Sequence, residues 1–387
     1  MKPVWSIIEY KGHDGLLRLS SEWTRLVSAM PDAGFQHLIE THFGHIDNFP
    51  SACGEVTYLA LSDGVRVRAI CPAELQPGVI LGRKHLVWGL PLGLGNVPRD
   101  VICPPDDDAE LALFPSVLAY FRRARPRRMW FVPGHVLHGS AAWRCLRGLD
   151  ARLYCIDWDG ASQIIDCDRP FGELTSSLSK HFRQNLRTAR NRLEAIGDFR
   201  FERAADPSSI AKAFEDFLKV ESSGWKGHAG TRSAIALKPD LLAFYRQLVA
   251  SLRDTGRCEF VSLHTAGRCI ASSLCIRVGH EFTVLKIGYD ETYARVSPGQ
   301  LLLEYVVKEC CADPAIKRVN LVGDPAWSRV WGPEPVGSYN VYIATGGWAS
   351  RALVSITRAR FRYAPLLKRW LSRSRYGKRV LQRLRKG

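Results

Sequence analysis

Residues 285–309, LKIGYDETYARVSPGQLLLEYVVKE, run from apolar sequence into Tyr289-Asp290, past Arg295, and back into apolar sequence through Ser-Pro-Gly-Gln. Pro298 and Gly299 admit two readings. One is punctuation, because Pro and Gly interrupt regular structure. The other is a helix that begins on a glycine, whose first backbone N–H groups lack intrahelical partners and attract an anion such as a phosphate.

The flanking sequence sets the frame. Upstream, CEFVSLH (258–264), CIASSLCIRV (269–278) and EFTVLKIGY (281–289) are separated by Ala-Gly-Arg and Gly-His, the pattern of an antiparallel meander. Downstream, the spacing predicts a helix over 300–311 and a strand over 317–323. A crossover helix of this kind returns the chain to a parallel neighbouring strand. The strands ending at Tyr289-Asp290 and at Gly323-Asp324 are therefore expected side by side, with the helix over them. Before the meander, helices are predicted over 177–197 with Gly197 as C-cap, over 209–224 ending at Gly224, and over 239–256 between Pro239 and Gly256. The expected class is α+β, a mixed central sheet flanked by helices.

The first half is less regular. Helices are expected over 23–30 and 35–44, and a hairpin joins 56–61 to 65–75 through Ser-Asp-Gly. A helix over 107–124 has acidic residues at its start and basic ones at its end, as the helix dipole prefers, and a strand follows over 127–134. No short-period repeat is visible. A length of 387 residues fits two domains, placed at 1–168 and 169–348, with a tail over 349–387.

Charge is concentrated in that tail. Of the net +16, thirteen Lys and Arg lie beyond Ser350, which leaves +3 (16 − 13) for the remainder, and no Asp or Glu follows Glu334. Leu366, Leu367, Trp370 and Leu371 share one helical face among these cations, the pattern of a membrane-surface helix. Packing of that face on the body and RNA binding are the competing readings. Eleven cysteines without a CxxC pair argue for a reducing compartment rather than a disulfide framework or zinc site. The N-terminus lacks the apolar region of a signal peptide, and no run is long and apolar enough to span a membrane. A cytoplasmic protein, peripheral at the inner face of the membrane, is expected. His42/His45 and His135/His138 have ligand-like spacing without a third partner, so no metal is expected. The Gly-x-Gly in GLPLGLGNVP (89–98) is too short a signal for a dinucleotide site.

Four stretches, 178–197, 220–231 (VESSGWKGHAGT), 285–305 and 320–334 (NLVGDPAWSRVWGPE), resemble the GNAT acyltransferases. They are most similar to the acetyltransferase branch linked to cellulose and other exopolysaccharide synthesis. The resemblance covers about residues 170–335 well and the first half weakly. It implies tandem GNAT-like domains, the first degenerate as in the related Fem-type aminoacyl ligases. It also places Arg295, Val296, Ser297, Pro298, Gly299, Gln300 and Leu301 on the acyl-CoA pyrophosphate loop, which decides for the cradle. Ser297 stands where the broad family pattern has its first glycine, and Arg295 is displaced by about one position.

GNAT chemistry transfers an acyl group directly from a thioester to an amine or hydroxyl, by positioning, carbonyl polarisation and proton removal. Acetyl-CoA or another acyl-CoA is the implied donor. Asp324 is the first choice for general base, against an Asx turn before Pro325. Tyr289 is a candidate to protonate the departing thiolate, and Asp290 lies beside it or simply caps a turn. Lys286, among apolar neighbours, calls for a partner such as Asp324 or snorkels to the surface. Trp225 and Lys226, in a glycine-rich loop, are candidates to bind the acceptor, against loop anchoring by a buried Trp. Arg183 and Arg187 share a helix face with Arg190, suited to the CoA 3′-phosphate or an acidic acceptor, or merely solvated. The expected function is acyl transfer to a glycan precursor or lipid-linked sugar. The alternatives are a Fem-type transferase with charged tRNA as partner, and a non-catalytic subunit docked on a polysaccharide synthase.

Overall fold

The computed structural model describes residues 4–49, 54–91, 94, 97–124 and 130–373; for 348–350 and 364–373 it describes the backbone alone. The first half runs β1 (Ser6–Lys11), α1 (Gly12–Ser28), α2 (Ile39–Asn48), β2 (Thr57–Ser62), β3 (Val67–Ile80), β4 (Arg83–Gly89), α3 (Asp107–Ala124), β5 (Trp130–Phe131), β6 (Val136–Leu137), α4 (Ala141–Cys145) and β7 (Tyr154–Asp166). The second runs α5 (Phe171–Ser177), α6 (Lys180–Glu194), β8 (Phe199–Ala204), α7 (Pro207–Ser223), α8 (Pro239–Leu252), β9 (Cys258–Thr265), β10 (Arg268–Val278), β11 (Glu281–Tyr289), α9 (Pro298–Ala312), β12 (Arg318–Asn320), β13 (Glu334–Ala344) and α10 (Gly347–Arg373).

All the strands join one mixed sheet, ordered β1-β2-β3-β4-β5-β13-β7-β12-β11-β10-β9-β8, with β6 beside β13. The order is a palindrome of two equivalent units. Each unit has an outer strand, two helices, a three-stranded meander, a crossover helix and a short parallel strand: β4, α3 and β5 in one, β11, α9 and β12 in the other. The last strand of each unit lies in the other. β7 pairs with β12, β13 pairs with β5, and β7 and β13 pair with each other from Tyr154 to Ile164. The fold is thus a tandem α+β architecture whose duplication appears in strand order rather than as a sequence repeat.

The meander, the crossover helix and the parallel β11–β12 pair form as expected. Ser179 caps α6 by accepting from the Phe182 N–H at 3.1 Å, but the C-cap is Ala195, with Gly197 two residues beyond. The helix expected over 35–44 is split, because Leu38 is extended (ψ 129°) between a 3₁₀ turn at Phe35–His37 and α2. The halves pack through α2 and α8: Asn48 donates to Gln247 at 2.6 Å, Gln247 donates to Asp47 at 2.6 Å, and Gly44 faces the Phe244 ring. One apolar core runs through both, including Leu16, Phe114, Phe217, Phe260 and Val341. A second lies under α6 and α9. The first part of α10 packs on the body through Val354 and Phe361, and Arg358 donates to the carbonyls of Ala151 and Tyr154. The side chains of the proposed membrane face, Leu366 to Leu371, lie outside the described residues.

His42 is fully buried against Trp23 and Tyr58, and burial with the neighbouring His45 lowers its pKa to about 3. The folded chain therefore holds it neutral, while the unfolded chain protonates it near the ordinary 6.5. Its contribution to stability is complete above that value and is lost as pH falls towards 3. Urea unfolding between pH 7 and pH 4 should show a fall of up to about 1.4 kcal/mol per pH unit from this group. In His42→Phe that fraction of the slope disappears; identical slopes in both proteins would contradict the assignment.

Candidate functional site

β11 and β12 pair only over Glu281–Thr283 and Arg318–Asn320. Beyond Asn320 the chain turns away while β11 runs on. Asn320 is buried and links three elements: its amide donates to Glu281 on β11 (3.1 Å), and its Oδ1 accepts from Ser162 on β7 (2.9 Å) and from the Val322 N–H (3.0 Å). That last bond holds Val322 at φ +50°, a rare conformation for a β-branched residue. The divergence opens a cavity of about 440 Å³ between Val284–Tyr289 on one wall and Leu321, Val322, Pro325 and Trp327 on the other.

The N-terminus of α9 faces this space. Ser297 is left-handed (φ +45°), Pro298 has no N–H, and the Gln300 and Leu301 N–H groups bond the Ser297 carbonyl at 3.0 and 3.2 Å. The Gly299 N–H has no partner among the described residues, and a side chain there would meet only Tyr289, at 3.6 Å. The first turn of α9 has no acidic residue, so its dipole is uncompensated. Val296 and Leu301 are buried and Arg295 is exposed, so Val296 and Leu301 can reach a ligand only through their backbone. Gln300 braces the site: its amide donates to the Trp327 carbonyl (2.9 Å) and accepts from the Trp331 indole (2.7 Å), fastening α9 to the opposite wall.

The equivalent helix of the first half is closed to anions. Asp106, Asp107, Asp108 and Glu110 crowd the start of α3, and Asp106 accepts from the Asp108 and Ala109 N–H groups at 3.1 and 3.3 Å. Arg144 and Arg147 then neutralise Glu110.

On the other face of β11, a bulge decides which side chains enter the cavity. Cys275 is opposite Val284 and Leu274 opposite Lys286, so Leu285 has no partner in β10. Val284 and Ile287 belong to the core under α9, whereas Leu285 and Gly288 face α7. The extra residue brings Lys286 onto the α7 side as well, beside Glu221 and Lys226. Gly288 permits this approach, since a Cβ there would lie 2.8 Å from the Glu221 Cα. Buried Glu221 takes Lys226 Nζ at 3.1 Å on one oxygen and the Ile235 N–H at 2.9 Å on the other. Lys226 Nζ also donates to the Ile287 carbonyl at 3.3 Å. Burial lowers the Lys286 pKa, Lys226 pushes the same way, and Glu221 opposes them.

The expected partnership of Lys286 with Asp324 is not formed. Asp324 instead receives two bonds from Arg329 (2.9 and 2.5 Å) and one from Gln163 (2.6 Å), and these hold its carboxyl below the usual range. It does not line the cavity, and so engaged it is a poor proton acceptor. Asp290 caps the turn at Glu291–Val296 by accepting from Thr292. Arg183 and Arg187 are exposed on α6 outside the cavity lining, while Arg190 pairs with Glu304 and Arg192 donates to the Arg295 carbonyl. Tyr289, Lys286, Trp225 and Lys226 do share the cavity with Ser297–Gln300. Trp225 is 56 % exposed rather than a buried anchor, and Trp327 is 39 % exposed across the opening. Glu221, Asn320 and Trp327 are absent from the sequence-based set. A glutamate closing an apolar helix just before Gly-Trp-Lys was the available signal for the first; Asn320 offered none without its register.

Residues 180–329 match the family model of the acetyltransferase (GNAT) domain. Over these residues the chain carries the sequence pattern of that family. The chain is thereby an enzyme of the acyltransferase class. The match takes in α6, the meander, α9, β12 and both cavity walls. Its fold is similar to that of FemX (TM-score 0.56, 12% identity, 84% of this chain and 95% of that one). It is also similar to the C-terminal domain of a protein assigned as a lysylphosphatidylglycerol synthetase from Agrobacterium fabrum (0.52, 12%, 88% and 95%). A third likeness is to a Bacteroides thetaiotaomicron protein of unknown function (0.52, 13%, 84% and 97%). No protein with a curated description matches the sequence. Among the described residues no cluster of His, Cys, Asp or Glu could hold a metal ion, and no helix is long and apolar enough to cross a membrane.

Asn320→Ala should leave the Val322 N–H without its partner and cost roughly 1–3 kcal/mol. In urea unfolding the midpoint should fall; an unchanged midpoint would show that the divergence of the strands does not depend on this side chain.

Proposed function

We propose that the protein is an acyl-CoA-dependent N- or O-acyltransferase, with acetyl-CoA the first donor to test, acting on a glycan precursor or lipid-linked sugar in polysaccharide biosynthesis. The observation that carries this reading is the cavity between β11 and β12, opening onto a helix N-terminus with a free Gly299 N–H and no acidic residue in its first turn. The donor pyrophosphate would lie at Ser297–Leu301 and its acyl arm in the gap. Tyr289, next to Gly299, would return a proton to the departing thiolate. On the α7 side Lys286 would take the proton of the attacking amine or hydroxyl, a role its lowered pKa supports better than the engaged Asp324. Trp225 and Trp327 offer the two ring faces that a sugar acceptor uses, and Lys226 offers a hydrogen-bond donor.

Calorimetric titration with acetyl-CoA tests the donor. Saturable binding is expected in the native protein and its loss in Gly299→Glu, with circular dichroism unchanged. Equal affinity in the variant would remove the cradle. A second reading, aminoacyl transfer from charged tRNA, draws on the likeness to FemX and to the lysylphosphatidylglycerol synthetase domain. It would be preferred if a folded protein ignored acetyl-CoA and turned over with aminoacyl-tRNA.

The thirteen cations beyond Ser350 fit an anionic membrane surface at the inner face of the cell, each worth up to ~1 kcal/mol near anionic lipid. Removing residues 364–387 spares the part of α10 that packs on the body. Sedimentation with phosphatidylglycerol vesicles should then fall steeply; undiminished binding would refute the tail's role.

A further inference from the structure

We propose that Lys286 is a self-acylation site, whose Nζ takes the acyl group of a thioester donor held at the α9 N-terminus when no acceptor fills the cavity. The inference rests on the acyl-CoA reading and adds a covalent modification to it.

Three observations converge on this lysine. The Leu285 bulge turns it from the α9 side of the sheet to the α7 side, where it lines the same cavity as Gly299. It has no carboxylate of its own: both oxygens of Glu221, the nearest acid, are committed to Lys226 and to the Ile235 N–H, and Lys286 forms no ion pair among the described residues. Its strand neighbours Leu285 and Ile287 are apolar, and Lys226 supplies a second positive charge that disfavours its ammonium form. An amine so placed is the strongest nucleophile facing the cavity. Its lone pair forms the new C–N bond at the thioester carbonyl carbon, the C–S bond breaks, and the proton shed by the amine passes to the thiolate. The products are an amide and a free thiol, and no other reactant is consumed. The amide no longer carries a basic nitrogen and occupies the acceptor side, so the reaction limits itself.

The test is incubation of the full chain with isotopically labelled acetyl-CoA at pH 7 without acceptor, followed by peptide mass spectrometry. Lys286 should be acetylated about tenfold faster than the exposed Lys212 and Lys219, and Gly299→Glu should erase that preference. Lys226→Met removes the neighbouring cation and frees Glu221 to pair with Lys286. It should slow the labelling about fivefold at pH 7 and move the rate profile to higher pH, a shift that a packing defect would not produce. If calorimetry shows acetyl-CoA bound while Lys286 stays unlabelled, or is labelled no faster than exposed lysines, the proposal is overturned and the donor reading stands. If acetyl-CoA does not bind, both fall.

Discussion

The site depends on the hydrogen bonds of Asn320. A parallel strand beside β11 would ordinarily continue and consume its polar edge; here the pairing ends after three residues. Asn320 spans Glu281, Ser162 and the Val322 N–H, so it fixes the last paired residue and turns the chain in one step. Glu281 is fixed in turn by Arg318 at 2.8 Å and Thr283 at 3.0 Å. A buried polar network of this kind is justified energetically only when fully satisfied. The left-handed backbone conformation it enforces at Val322 lies on the cavity wall.

The two units follow one scheme but differ at the start of their crossover helices. In both, a meander strand leads through a crossover helix to a short parallel neighbour. The second begins its helix with Ser-Pro-Gly and no acid; the first begins with three aspartates, of which Asp106 caps the helix. Charge at a helix start therefore distinguishes the two halves. The exchange of β7 and β13 holds the halves together, since each unit is completed by a strand of the other.

The second half was legible because its elements are strongly periodic and clearly punctuated: Pro239 and Gly256 bracket α8, and Gly-His marks the turn before β11. The exchange was not. β7 and β13 mix Asp, Asn, Ser and Gly with apolar residues, and their partners are more than 150 residues apart in sequence. Pairing at that range leaves no local trace. The Gly299 turn could be read from adjacent residues, whereas the α7 side of the cavity depended on a bulge. A single inserted residue, Leu285, reverses the face on which Lys286 emerges, so its neighbours could not be read from the strand's alternation.

Hydrogen exchange with and without acetyl-CoA, read by mass spectrometry, probes the central claim that the donor occupies the space opened by Asn320. Slowed exchange should be confined to residues 284–301 and 321–327, with α3 and its surroundings unchanged. Protection at the start of α3, or binding that leaves 284–301 unprotected, would contradict it.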